Sequence, residues 1–269
     1  MTVIAHLSDI HFGAVDERAA EHLVGVINDR NIDAVIVTGD LTQAGRKREF
    51  QAAGEFLDRF TAPILVVPGN HDTPVYNLGQ RFIDPWRRFR KFIHHDLAPT
   101  MQIKDVFVVG LNSARRAGPS LDWSRGRLSR TQIENAAAAL NGSDGANLKL
   151  VALHHPVLPG EGKAGNAIIN KPDRAMESIA ASGGDAILSG HVHIASAKTH
   201  DPGPRSIVIA AAGTASSTRL RGELPSYNLL NWKDETLRID VHRYGADGYL
   251  VERQHYFERI KKHWQSKPA

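Results

Sequence analysis

The sequence opens, two residues in, with Val3-Ile4-Ala5-His6-Leu7-Ser8-Asp9-Ile10-His11, a short apolar run that ends in a carboxylate and an imidazole. The apolar part, residues 3–7, has the length of a buried strand and is too short for a helix. Residues 16–30 follow with apolar side chains at helical spacing, and residues 33–38 form a second apolar run. This alternation predicts a β-α-β unit in a sheet that is covered on both faces.

The alternation continues outward from this unit. Further helices are predicted over 45–60, 84–95, 129–140 and 172–181, and further strands over 63–67, 100–104, 106–111, 148–153 and 185–188. A Gly/Pro-rich loop covers 159–166, and the last third is rich in strands, at 194–199, 206–211, 227–232 and 237–244. We expect one α/β domain over residues 1–269, built from two packed sheets with helices outside. Residues 240–269 are expected to be a C-terminal strand or tail against a core edge or a partner subunit.

Composition excludes several kinds of site. The chain has 269 residues, no cysteine and 14 histidines, with 33 Lys+Arg against 29 Asp+Glu, a net charge of +4. Without cysteine there is no disulfide scaffold, iron–sulfur cluster or thiol nucleophile, so a metal must be held by nitrogen and oxygen. The small positive surplus predicts no stable nucleic-acid partner. Neither a basic leader nor a run of about 18 apolar residues is present, so we expect a cytoplasmic protein.

Side chains of the types that can bind metals follow five of the predicted strands. They are Asp9 and His11; Asp40; Asn70, His71 and Asp72; His154 and His155; His191 and His193. Each group alone is typical of an ordinary turn. Together they predict one shared pocket, because sites in α/β sheets form where the carboxyl ends of strands converge. Carboxylate, amide and imidazole ligands suit two divalent cations, and a central carboxylate such as Asp40 could bridge them.

These groups resemble the signature of the calcineurin-like metallophosphoesterases. The matching blocks are Asp9-Ile10-His11, Gly39-Asp40, Gly69-Asn70-His71-Asp72, His154 before His155-Pro156, and Gly190-His191-Val192-His193. The resemblance covers residues 3 to about 215, and the first blocks are similar to the class III cyclic nucleotide phosphodiesterases. It implies a four-layer α-β-β-α sandwich of two mixed sheets.

The resemblance also implies a role for each residue. Asp9, His11 and His193 would bind one metal ion, Asn70, His154 and His191 the other, and Asp40 would bridge them. His71 would act on the substrate as a catalytic residue, oriented by Asp72, while His155 would either support the ligands or belong to the core. Mn or Fe is expected, with Zn as a further option. Many members of the family carry an acidic residue where this chain has Gln43.

The predicted reaction is phosphodiester hydrolysis, in which a hydroxide bridging the two ions attacks phosphorus. His71, as an imidazolium, would bind a phosphate oxygen or protonate the leaving group. Cyclic nucleotides, either 3′,5′-cAMP or 2′,3′-cyclic nucleotides, are the expected small anionic substrates. Glycerophosphodiesters and a nucleotide-linked lipid, split by a pyrophosphatase, are the alternatives. Asn70, His71, Arg115 and Arg116 are candidate substrate contacts, although either arginine could be an ordinary solvated side chain.

Two further hypotheses concern partners. Residues 81–91 interleave basic and aromatic side chains, which could bind a membrane surface or nucleic acid. We favour an amphipathic helix whose aromatic side packs on the core and whose charges face water. The strand-rich C-terminal third could form a homodimer face. A scaffold protein that has lost the chemistry would lack some of the ligands, and all of them are present.

Overall fold

The computed structural model describes residues 1–116, 124–159, 168–220 and 222–268. Its strands are β1 (Thr2–Leu7), β2 (Ala34–Thr38), β3 (Ile64–Val67), β4 (Thr100–Ile103), β5 (Val106–Leu111), β6 (Leu148–Leu153), β7 (Ala186–Ser189), β8 (Ser196–His200), β9 (Ile207–Ala211), β10 (Ser226–Lys233), β11 (Thr236–Gly245), β12 (Gly248–Ile260) and β13 (His263–Lys267). Its helices are α1 (Glu17–Asn28), α2 (Lys47–Leu57), α3 (Leu78–Ile83), α4 (Arg87–Phe92), α5 (Arg130–Asn141) and α6 (Pro172–Ala181). Positions 160–166 of the predicted Gly/Pro-rich loop lie outside the described residues.

The strands form two mixed sheets. One has seven strands in the order β13-β12-β11-β10-β1-β2-β3, and the other has six in the order β4-β5-β6-β7-β9-β8. In the first sheet β1, β2 and β3 are parallel, and in the second β5, β6, β7 and β9 are parallel. The carboxyl ends of these parallel strands bring the loops with the expected ligands to one edge of the molecule.

Apolar side chains from both sheets, among them Ile36 and Leu150, pack against each other in a buried central layer. On the outer face of the first sheet, α1 and α2 contribute Leu23 and Phe50 to a second core. On the outer face of the second sheet, α5 and α6 form a third core that includes Ile179. The fold is therefore the predicted four-layer α-β-β-α sandwich.

The predicted helix over 84–95 is wrong in its bounds. The helix in this stretch, α4, is shorter at both ends, since it begins at Arg87 and ends at Phe92, and a separate helix, α3, ends at Ile83 just before the predicted range. Pro85 lies between them, and a proline disfavours helical backbone in the residue that precedes it. Asp84 accordingly has φ −147° and ψ 81°.

The burial of residues 81–91 agrees only in part with the expected amphipathic pattern. Trp86 and Phe89 are buried, as expected for the aromatic side of this segment. Arg81 is 3% exposed and Phe82 is 47% exposed, the reverse of the expected pattern at these two positions. The Arg81 guanidinium donates hydrogen bonds to the main-chain oxygens of Pro74 and Arg116, which joins α3 to the loop after β5.

The C-terminal residues form the two outer strands of the seven-stranded sheet. β12 pairs with β11, and β13 pairs with β12, both antiparallel. Phe257 and Trp264 from these strands are buried in the core between the sheets. Within the described parts of the chain, no helix has both the length and the apolar character that crossing a membrane requires.

Candidate metal centre

All the expected ligands lie in loops just after strands, and several have strained backbone. Positive φ angles occur at Asp9 (54°), His11 (56°), Asp40 (54°), His191 (73°) and His193 (61°). A left-handed conformation costs a non-glycine residue about 1 kcal/mol or more, and it persists only where the surroundings enforce it. Here the chain adopts it repeatedly along one edge of the sandwich, where it aims several side chains at one point.

Two glycines let the carboxylates lie directly against the backbone. A Cβ atom at Gly190 would overlap Ser8 Oγ and Asp9 Oδ2, and one at Gly69 would overlap the carboxylate of Asp40. Only glycine therefore fits at these two motif positions. The close approach allows the N–H of His191 to donate to Asp9 Oδ2 at 2.8 Å.

The first cluster consists of Asp9, His11 and His193, all of them buried. Asp9 Oδ1 lies 3.1 Å from His193 Nε2 and 3.6 Å from His11 Nε2. The two Nε2 atoms are 3.2 Å apart. Three ligand atoms thus face a common point, as a single cation requires.

The second cluster consists of Asn70, His154 and His191. His154 Nε2 lies 3.1 Å from Asn70 Oδ1 and 3.1 Å from His191 Nδ1. His154 and His191 are buried, whereas Asn70 is partly exposed at the mouth of the site. This cluster offers one neutral oxygen and two imidazole nitrogens.

Asp40 lies between the two clusters. Its Oδ2 is 3.3 Å from His154 Nε2 and 3.8 Å from His11 Nε2, while its Oδ1 accepts the N–H of His71 at 2.8 Å. A second observation also indicates that these residues fit divalent ions. The buried Asp9 Oδ1 has no hydrogen-bond donor among the described residues. A bound cation would satisfy this atom, and buried charges are otherwise paired within the protein.

The histidine tautomers agree with metal binding. His154 Nδ1 donates to the main-chain oxygen of Thr38 at 2.7 Å, and His193 Nδ1 donates to that of Arg219 at 2.8 Å. A carbonyl oxygen can only accept, so each Nδ1 carries a proton and each Nε2 can offer its lone pair to the centre.

The ionisable groups of the centre perturb one another strongly. Burial opposes the ionisation of Asp9, yet His193 and its neighbours hold the Asp9 pKa well below the usual range. Burial also opposes a charge on His154, but the nearby carboxylates, chiefly that of Asp40, raise its pKa to about 9. Burial and the charge of Asp40 raise the pKa of Asp72 to about 6. The carboxylates thus favour positive charge at the position of His154 Nε2.

The expected contact between Asp72 and the His71 imidazole is wrong. The Asp72 carboxylate accepts the N–H groups of Thr42 and Gly69, both at 2.9 Å, and so ties two loops together. His71 Nδ1 instead donates to the main-chain oxygen of Gln43 at 2.7 Å. The buried Asp72 carboxylate also accepts the Thr42 hydroxyl at 3.0 Å, while His71 is half-buried at the mouth.

The sequence analysis missed one residue at this mouth. Arg219, in the loop between β9 and β10, has its Nη1 3.3 Å from His71 Nε2 and 3.3 Å from Gln43 Oε1. Arg219 therefore lies against the imidazole that is expected to act on the substrate. No motif surrounds Arg219, so spacing gives no signal for it.

The other candidates lie around the centre. His155 is buried, with its ring 4.8 Å from those of His154 and His191, and its Nδ1 lies 2.8 Å from Ser113 Oγ. Arg115 Nε and Arg116 Nη1 donate to the main-chain oxygens of Arg125 and Phe82 respectively. These two arginines therefore hydrogen-bond to the main chain of a neighbouring loop and of α3, and their contact with substrate stays a prediction.

A four-layer sandwich with carboxylate and imidazole clusters at its strand ends defines the metallophosphoesterase class of enzymes. The family model described as Calcineurin-like phosphoesterase matches residues 2–195. The chain therefore belongs to the calcineurin-like phosphoesterase family, whose members use divalent metal ions. The family predicted from the sequence motifs is confirmed.

Individual proteins agree with this assignment. The chain is 27% identical over 205 residues to the glycerophosphodiester phosphodiesterase GpdQ of Enterobacter lignolyticus, an alignment that covers 70% of this chain and 64% of GpdQ. It is 24% identical over 173 residues to a probable cyclic nucleotide phosphodiesterase of Vesicomyosocius okutanii, covering 64% of this chain and 66% of that protein. The matched part is thus just under two thirds of the length of each relative.

The fold has a counterpart among solved structures. A dimetal phosphatase from Danio rerio superposes with a TM-score of 0.65 at 13% identity, covering 93% of this chain and 98% of that one. At this identity the likeness concerns the fold alone.

Proposed function

We propose that this metallophosphoesterase hydrolyses phosphodiesters at a centre of two divalent ions, and that cyclic nucleotides are its substrates. The observation that carries the proposal is the position of Asp40, whose Oδ2 lies within 3.8 Å of His11 Nε2 in one cluster and 3.3 Å of His154 Nε2 in the other. A shared carboxylate offsets the repulsion between two ions held about 3.5–4 Å apart. Mn or Fe suits this ligand set, and Zn is a further option.

Asp9, His11 and His193 would hold one ion, and Asn70, His154 and His191 the other. Bound ions would supply an activated water and would stabilise charge on the phosphoryl oxygens. His71 would contact the substrate, because it lies at the mouth, and the hydrogen bond from Nδ1 to Gln43 fixes its ring. Its Nε2 would then bind a phosphoryl oxygen or exchange a proton with the leaving group.

Two relatives support different substrates. The likeness to a probable cyclic nucleotide phosphodiesterase supports cyclic nucleotides, and so do the motifs around Asp9 and Asp40. The likeness to GpdQ keeps glycerophosphodiesters as the second candidate. Both are small anionic diesters. A cytoplasmic location and a homodimer stay predictions.

The test compares kcat/KM of the Mn²⁺-loaded protein on 3′,5′-cAMP, 2′,3′-cAMP, glycerophosphoethanolamine and bis-p-nitrophenyl phosphate. We expect turnover of one cyclic isomer to exceed that of glycerophosphoethanolamine. Turnover of the activated diester without either cyclic nucleotide would contradict the substrate assignment. Asp40→Asn, purified in parallel, controls for contaminating enzymes.

His71→Ala tests the role of the imidazole. It is expected to retain its metal content and to lose more activity on cyclic nucleotides, which have poor alkoxide leaving groups, than on bis-p-nitrophenyl phosphate. Equal losses on both substrates would reject proton transfer by His71.

A further inference from the structure

Arg219 places an unpaired positive charge at the mouth of the metal centre. Its guanidinium contacts the Gln43 amide oxygen and His71 Nε2, both at 3.3 Å. Across the described parts of the chain, no carboxylate lies within 4.0 Å of this guanidinium. Arg205, Arg253 and Arg259, by contrast, each form an ion pair with a carboxylate. The charge of Arg219 is therefore available to a ligand.

The main chain fixes Arg219 relative to the centre. Its carbonyl oxygen accepts from His193 Nδ1 at 2.8 Å, and its N–H donates to Ser217 Oγ at 3.0 Å. The preceding residue, Thr218, donates its N–H to the main-chain oxygen of Ala14 at 2.9 Å. The main chain of Arg219 is thus hydrogen-bonded to an expected metal ligand, while its guanidinium lies beside His71 and the residue as a whole is partly exposed.

Gln43 determines how much of this charge a ligand can use. An amide oxygen accepts one N–H of the guanidinium without neutralising it, whereas a carboxylate at the same place would form an ion pair. The guanidinium keeps further N–H groups in a planar fork, the geometry that suits two oxygens of a phosphate.

We propose that Arg219 binds the non-bridging oxygens of the substrate phosphodiester, and that the neutral Gln43 keeps its charge available for this contact. This inference rests on the proposed function, because it takes the substrate to be an anionic phosphodiester. Arg219 is then a substrate-binding residue that acts together with His71, on the side of the site away from the buried ligands.

The experiment uses Arg219→Met, Arg219→Lys and Gln43→Glu in the full-length, Mn²⁺-loaded protein. The readouts are KM and kcat on bis-p-nitrophenyl phosphate, and the inhibition constant of inorganic phosphate. A charge-assisted hydrogen bond corresponds to about 10- to 100-fold in affinity, so Arg219→Met should raise KM and the phosphate inhibition constant by that factor. The two constants of Arg219→Lys should lie between those of the wild type and Arg219→Met. Gln43→Glu should also raise both constants.

Metal content and thermal unfolding of each variant show whether it still folds and binds metal. We expect both to be retained, because the carbonyl of residue 219 still accepts from His193. Arg130→Met is the matched control, since Arg130 is an exposed arginine of α5 paired with Glu134. It removes the same charge and should leave both constants unchanged. A phosphate inhibition constant within twofold of the wild type in Arg219→Met overturns the proposal. If that variant does not fold, an unchanged constant in Gln43→Glu overturns it.

The two proposals fail in different ways. A wild-type protein that cleaves bis-p-nitrophenyl phosphate but no cyclic nucleotide would contradict the proposed substrate, while the phosphate constants still test Arg219. If the wild type is inactive on every diester, calorimetric titration of the Mn²⁺-loaded protein with phosphate replaces the inhibition assay. Equal affinities in the wild type and Arg219→Met would then reject the Arg219 contact.

Discussion

The two ends of strand β7 stabilise buried charge in opposite ways. At the amino end, Asp185 Oδ1 lies 2.7 Å from Arg205 Nη2 and 2.9 Å from Arg259 Nη1. Beyond the carboxyl end, His191 gives its N–H to Asp9, whose other oxygen faces imidazole nitrogens and has no donor among the described residues. The Asp185 carboxylate is neutralised by two arginines, which are permanent cations. The Asp9 carboxylate faces imidazole groups that can themselves bind a cation.

This difference separates a structural cluster from a functional one. Arginine is always charged, so the group around Asp185 is complete once the chain folds. Neutral imidazoles and carboxylates leave a charge to be supplied from outside, which makes the other end a binding site. The positive φ angles at Asp9, Asp40 and His191 belong to this end, where the fold holds strained backbone in place.

The largest effect is expected at Asp40. Asp40→Asn removes the shared charge but keeps an oxygen to accept the N–H of His71, so we expect activity to fall about 1,000-fold or more. The thermal midpoint of the metal-free protein should change little, and Mn²⁺ should no longer raise it. Activity is followed with bis-p-nitrophenyl phosphate. An Asp40→Asn variant that unfolds without metal, or that keeps its activity, would contradict the distinction between a structural cluster at Asp185 and a functional one at Asp40.

A substitution at Asp185 is expected to lower stability and to leave activity unchanged. Asp185→Ala leaves Arg205 without its carboxylate and Arg259 with one of its two, and breaking a buried ion pair costs about 3 kcal/mol of the free energy of unfolding. Urea titration measures this loss, and kcat per folded molecule should be unchanged. Arg130→Met, which breaks an exposed pair, should change stability by less than about 1 kcal/mol. Equal losses in the two variants would show that the buried cluster has no special role.

The smallest effect is a pH dependence from a buried histidine outside both clusters. His242 stacks on Tyr227 and lies 3.2 Å from Arg30 Nη1, and burial followed by the charge of Arg30 lowers its pKa to about 4. The unfolded chain therefore takes up this proton first as the pH falls below about 6.5. The stabilisation that depends on a neutral His242 is present above that pH and is lost between about pH 6.5 and pH 4.

Thermal melts at pH 7 and pH 5 measure this dependence in the metal-free wild type and in His242→Gln. The wild-type midpoint should fall more over this interval than that of the variant, which lacks the titrating group. Parallel slopes would mean that His242 contributes nothing to acid sensitivity.

Sequence reasoning found the fold and the clustered residues because both depend on local patterns. Apolar runs of four to six residues fixed the parallel strands, and the polar residues that follow them had to converge at the strand ends. The start of α4 at Arg87 was predicted three residues too early, because a proline at the beginning of a helical pattern is typical of the first turn of a helix. Arg219 could not be found, since its position depends on the long-range contact of Thr218 with Ala14.

Anomalous diffraction from crystals of the protein grown with Mn²⁺ tests most directly the claim that the imidazole and carboxylate clusters bind two cations around Asp40. We expect two manganese peaks about 3.5–4 Å apart. One should lie among Asp9, His11 and His193, and the other among Asn70, His154 and His191, with Asp40 contacting both. A single peak, or manganese bound away from Asp40, would contradict the two-ion centre.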